Sequence, residues 1–336
     1  MRFVAELLLA GRLVAPTVHG AVEIVPGTTV EFGSAAEGAR LLSTRDVFVA
    51  AMSPYDRSAR LKTDKDVTEA EYLAFVARQT RDWTEAEERA IGASLERFRD
   101  AVKAANLDFR LPPTVRFVKT TGLEEGRAAY CRDAAVILPA NVVGGDPAER
   151  ETTIFHELFH MYSRHHPERR EALYRILGFE VCPEIALPES LRRRKLTNPD
   201  APLIDSVIRV RVASGSGLET SRRPVTPVLS ATTERYDVKK GGEFFDSMEF
   251  RLLVLDEVGA GFRPAVLPDG KPWMLEVSAL PDYWEQIGRN TRYVIHPEEI
   301  LADNFVLLIH PKPNTPPPTP AILEKLRAVL ARDSGH

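Results

Sequence analysis

The chain has 336 residues, 44% hydrophobic and 27% charged, a composition of globular proteins with one large or two moderate domains. Its 44 basic and 48 acidic residues give a net charge of −4, which leaves no nucleic-acid footprint. No apolar run reaches the ~18 residues of a membrane span, and two cysteines, Cys131 and Cys182, read as reduced thiols of a cytoplasmic protein rather than a disulfide framework.

The start, MRFVAELLLAGRLVAPTVHGA, has a faint signal-peptide look, but Glu6 and Arg12 interrupt its apolar run, so it reads as a first element of the fold. Residues 1–60 mix short apolar runs (Phe3–Val14, Val22–Val25, Val47–Ala51) with Gly and Pro and predict a β-rich lead-in. A second unit spans 61–184. Thr68 with Glu71 has a capping-box signature for a helix to about Gln79, and Thr84 with Glu87 repeats it. Ile91, Leu95, Phe98, Val102 and Ala105 then recur at helical spacing, so 84–106 reads as a long amphipathic helix. Thr114–Lys119 and Ala128–Leu138, rich in Val, Ile and aromatics, read as strands.

The next helix carries the chemistry. Asp146 is a good N-cap, Pro147 suits the first helical position, and Glu149 sits where a capping box places its acid. Ile154, Leu158 and Met161 or Tyr162 form an apolar stripe. The helix contains His156-Glu157-Leu158-Phe159-His160, H-E-x-x-H. Residues i and i+4 share one face, so both imidazoles reach one metal ion, and Glu157, about 100° round, is close enough to hold a water. Two neutral nitrogens, an open position and a nearby carboxylate are what a hydrolytic zinc site requires.

A helix from Pro167 to Leu177 ends near Gly178. Residues 185–285 turn Pro- and Gly-rich, with Ser206–Ala213, Val225–Leu229, Phe250–Leu255 and Trp273–Val277 as strands of a β-rich insertion. Gly215, Gly217, Gly241 and Gly242 mark its turns, and Arg192–Lys195 reads as a solvated basic surface. The last unit, 286–336, holds a helix over 298–309, a stiff connector from Pro311 through Pro313 to Pro320, and a terminal helix over 320–332. The expected class is α+β.

A catalytic zinc needs a third protein ligand. His166 completes H-E-x-x-H-x-x-G-x-x-H except that Ser163 stands where a glycine would make the turn. Glu298 and Glu299 follow Pro297, and Glu299 and Asp303 are i and i+4 on one helical face. An Asp one turn beyond a Glu ligand can accept an N–H from a ligating His. Glu299 is favoured, with Glu298 and His166 as alternatives.

H-E-x-x-H followed by E-x-x-x-D resembles the gluzincin metallopeptidases, although the gap between the motifs is longer than usual there. The order of long helix, strands and motif helix is similar to the N-terminal half of zincins. The resemblance implies a zincin-like fold, Zn2+ held by His156, His160 and Glu299, and Asp303 orienting a histidine. It also implies a substrate cleft along the last strand, so Ala134–Pro139 is expected to be its edge. The expected function is a zinc metallopeptidase acting on a peptide or protein. Glu157 activates the water, and Tyr293 or His296 stabilises the oxyanion, with His165 a weaker candidate. The alternatives are a zincin-fold binding protein without catalysis and a zinc hydrolase of a non-peptide amide. No nucleic-acid or membrane partner is expected.

Overall fold

Every residue of the strand Ala135–Pro139 is buried, which requires cover on both faces of its sheet. A computed structural model, describing residues 23–213, 220–312 and 314–331, shows that cover. The chain is α+β. Its first sheet comprises β1 (Glu23–Val25), β2 (Thr28–Phe32), β3 (Thr80–Arg81), β4 (Thr114–Thr120), β5 (Tyr130–Arg132) and β6 (Ala135–Pro139). The order is β1-β2-β4-β6-β5, with β3 beside β4. Strands β2, β4 and β6 run parallel, and β5 runs antiparallel to β6.

Side chains alternate between two apolar layers, as the period of a strand dictates. Val136 and Leu138 join the core of the long helix Glu85–Ala104 and the motif helix Pro147–His165. Ala135 and Ile137 face Phe48, Tyr72 and Val76 on the other side. The long helix forms for the reasons its sequence states. Thr84 and Glu87 cap each other reciprocally, and Ile91, Leu95, Phe98 and Val102 are buried. Phe98 packs edge-on against Phe155 at 5.2 Å between ring centroids, tying this helix to the motif helix.

The second sheet holds β7 (Phe179–Val181), β8 (Ser206–Ala213), β9 (Thr220–Ala231), β10 (Met248–Val258), β11 (Gly261–Pro264) and β12 (Met274–Leu275). Its order is β11-β10-β9-β8-β7, antiparallel throughout, with β12 beside β10. Ile208, Val210, Val225, Leu252 and Val254 belong to the same core cluster as the motif helix. The β-rich unit therefore shares the core of the site-bearing helices and does not loop out.

Two expectations are corrected. Ala128–Leu138 is a hairpin, not one strand. Asp133, at φ 50°, reverses the chain between β5 and β6. Ala135–Pro139 is consequently interior, between β4 and β5, and the edge beside the motif helix is β5. The lead-in is β only as far as Phe32. Helices Ala35–Leu42, Val47–Ala51 and Pro54–Arg60 follow, each started by a side-chain cap from Ser34, Asp46 or Ser53. Those caps outweigh the β propensity of a run such as Val47–Val49. The expectations for residues 1–22, Gly215, Gly217, Pro313 and 332–336 lie outside the described residues. Among the described residues no helix is long and apolar enough to cross a membrane.

Candidate metal centre

Asp146 starts the motif helix by accepting the Ala148 and Glu149 N–H groups at 2.9 and 3.1 Å. Ile154, Leu158, Met161 and Tyr162 fix its rotation by entering the core, which turns His156 and His160 towards a cavity. The helix Pro297–Ile309 packs across it, with the Phe159 and Phe305 rings 5.3 Å apart. This crossing brings Glu299 Oε2 to 3.0 Å from His156 Nε2 and 3.4 Å from His160 Nε2. The three donor atoms lie within 4.8 Å of one another.

Each histidine has its own carboxylate behind it. His156 Nδ1 lies 3.0 Å from Asp303 Oδ1, and the Thr291 hydroxyl donates to the other Asp303 oxygen. His160 Nδ1 lies 3.4 Å from Glu298 Oε1, while Glu298 Oε2 accepts from Ser163 at 3.0 Å and Tyr174 at 2.9 Å. A carboxylate at Nδ1 selects the tautomer with its proton there, so both Nε2 lone pairs point forward. They meet the Glu299 oxygen, and His160 Nε2 is buried with no hydrogen-bond partner. Lone pairs aimed at one another repel unless a proton or a metal ion lies between them. The Asn198 amide steadies the remaining Glu299 oxygen.

The electrostatics point the same way. Burial alone lowers an imidazole pKa, yet Asp303 and Glu299 push His156 up to about 9, and Glu299 and Asp200 hold His160 well above its ordinary value. Burial favours protonated Glu299, but the two histidines keep it well below the usual carboxylate range. A potential that charges two buried histidines also favours a divalent cation. Two imidazoles and one carboxylate are a donor set that zinc accepts, so the residues present fit that ion.

Glu157 lies one position from His156 and is 4% exposed. Burial, then the neighbouring Asp200 carboxylate, raises it to about 7. A second trio, Cys131, Glu157 and Asp200, also has metal-ligand spacing. Its thiol is pushed far above its ordinary pKa, first by burial, and a protonated thiol is a poor ligand. The histidine trio is the better site. The cavity beside it, about 250 Å3, is lined by His156, Glu157, His160, Asp200, Tyr293 and Glu299 among others.

Of the two oxyanion candidates, Tyr293 lines this cavity at its solvent side, 42% exposed. His296 does not line it. Its Nδ1 accepts the Glu298 N–H at 3.1 Å as the N-cap of the downstream helix, and burial drives its pKa down to about 4. His165 Nδ1 is engaged with the Met161 carbonyl at 2.9 Å. His166 is no part of the trio, because Ser163 stays helical. His166 caps the helix C-terminus, with its nitrogens on Glu168 and the Arg110 carbonyl. Sequence reasoning missed Asn198, Asp200 and the orienting role of Glu298. Asn198 and Asp200 lie in the 185–285 unit, and no spacing links them to the motif.

No family model, no curated protein and no solved structure matches this chain.

Proposed function

We propose that this chain is a zinc-dependent peptidase of the zincin type, with His156, His160 and Glu299 as the metal ligands. The observation that carries the reading is the convergence of two carboxylate-backed Nε2 atoms and the Glu299 oxygen beside a buried Glu157. When bound, zinc supplies Lewis acidity, which acidifies water and polarises a carbonyl.

The chain's own groups do the rest. Glu157, raised towards neutrality, takes the proton from the attacking water and hands it to the departing amine. The Tyr293 phenol, at the cavity wall, donates to the oxygen that becomes anionic as the carbonyl is attacked. Asp303 and Glu298 hold the two imidazoles in register.

Elemental analysis of protein purified without chelator tests this. About one zinc per chain is expected, and His156→Ala is expected to lose it. A His156→Ala variant that binds as much zinc as the parent defeats the assignment. Asp303→Ala and Glu298→Ala keep the ligands but free one imidazole each, so zinc affinity in chelator competition is expected to fall ~10–100-fold in each. Unchanged affinity in both would remove the orienting roles.

A further inference from the structure

Resting on the peptidase reading, we propose that the substrate is a peptide whose chain end abuts the segment Asn198–Asp200, so cleavage occurs beside a terminus and not within a long chain. An exposed strand edge invites strand addition by a peptide. Strand β5 offers almost no such edge. Tyr130, Cys131 and Arg132 are 2%, 0% and 2% exposed although they form the border of the sheet. The Cys131 N–H, which a substrate strand would otherwise use, donates to Asp200 Oδ1 at 2.9 Å.

The covering segment is pinned on three sides. Asp200 holds it to β5, the Arg164 guanidinium donates to the Pro199 carbonyl at 3.1 Å, and the Asn198 amide donates to Glu299. It is a wall rather than a rim. On its far side Arg132, Asp133, Arg164 and Pro199 line a different cavity, shared with Leu41 and Phe48. On the near side Ala128 and Ala129, both half-buried and outside the strands, line the catalytic cavity beside Tyr130 of β5, Leu229 of β9 and Met248 of β10, and β9 is already paired on both sides.

The wall formed by Arg60 is closed too. Its Nε donates to Glu125, one terminal nitrogen to Asp56, and the other to Glu125 and the Thr197 carbonyl. These bonds engage all five donors of a guanidinium, so Arg60 is structural and offers no charged port for a passing chain. The cavity of about 250 Å3 lies below the ~300–1,000 Å3 usual for small-molecule sites. An extended chain advances ~3.3 Å per residue, so a few residues beyond the scissile bond would collide with the pinned segment.

The test uses one decapeptide in four forms: free at both ends, N-acetylated, C-amidated, and blocked at both ends. Each is incubated with zinc-loaded wild-type protein, and products are identified by mass spectrometry. The free form is expected to lose one or two residues from one end. The doubly blocked form is expected to react roughly 100-fold more slowly, the scale on which a pocket rejects what it cannot hold. The singly blocked forms then show whether the amino or the carboxyl end meets the wall. Cleavage of the doubly blocked peptide in its middle, at a rate near that of the free form, overturns the inference and leaves the peptidase reading standing. No cleavage of any form by protein that contains zinc overturns the peptidase reading itself, and the inference falls with it.

Discussion

Glu157→Gln is expected to keep the fold and the metal and to lose hydrolysis by about 10²–10⁴-fold, the span of a removed general base. Glutamine has nearly the shape of glutamate, so the buried position stays filled, and its side-chain oxygen can still accept from the Cys131 thiol, which now lies 3.4 Å from Oε2. The substitution also removes a charge that faces Asp200, which after burial is the next cause of the raised Glu157 pKa. Stability should therefore hold or rise. What disappears is a group able to take a proton near neutral pH. Circular dichroism and zinc content matched to the parent, with turnover lost, is the expected set of results. Undiminished turnover on any peptide the parent cleaves would end the mechanism.

Glu299→Ala is expected to abolish zinc retention on dialysis, the largest effect of any change outside the two histidines. Its Oε2 faces both imidazole nitrogens, at 3.0 and 3.4 Å, so one truncation strips the anionic donor from both. The Asn198 amide loses its acceptor in the same step. His166→Ala serves as the contrast. His166 caps a helix end and bonds Glu168 and the Arg110 carbonyl, so zinc retention should persist. Metal loss in His166→Ala with retention in Glu299→Ala would reverse the ligand assignment.

Much of the site is legible in the sequence because it rests on local periodicity. Asp146 and Pro147 announce a helix start, and the i, i+4 spacing of His156 and His160 puts them on one face. Glu299 and Asp303 share the same spacing on the downstream helix, and they meet the front and back of the His156 ring. Spacing could not assign Glu298. It sits about 100° round from Glu299 and reaches His160 from behind only because of the angle at which the two helices cross. His296 looks like a catalytic histidine, but the helix it precedes uses it as a cap.

The unread parts depend on contacts distant in sequence or on weak turns. The hairpin at Asp133 is hidden because apolar residues flank it on both sides, so the run reads as one strand. Asn198 and Asp200 reach Glu299 and Cys131 across 101 and 69 positions of chain, which no periodic pattern records. The shared core of the second sheet and the motif helix is likewise a tertiary fact. An alternating strand shows that it has an apolar face, not which element will cover it.

The most direct test of the zinc assignment is the X-ray absorption spectrum of protein loaded with one equivalent of zinc. Two imidazoles and the Glu299 carboxylate predict a first shell of nitrogen and oxygen alone, at ~2.0–2.2 Å, with the outer-shell signature of imidazole rings. A sulfur scatterer at ~2.3 Å would place the ion with Cys131, Glu157 and Asp200 instead. That result, or failure to bind one equivalent at all, would contradict the account.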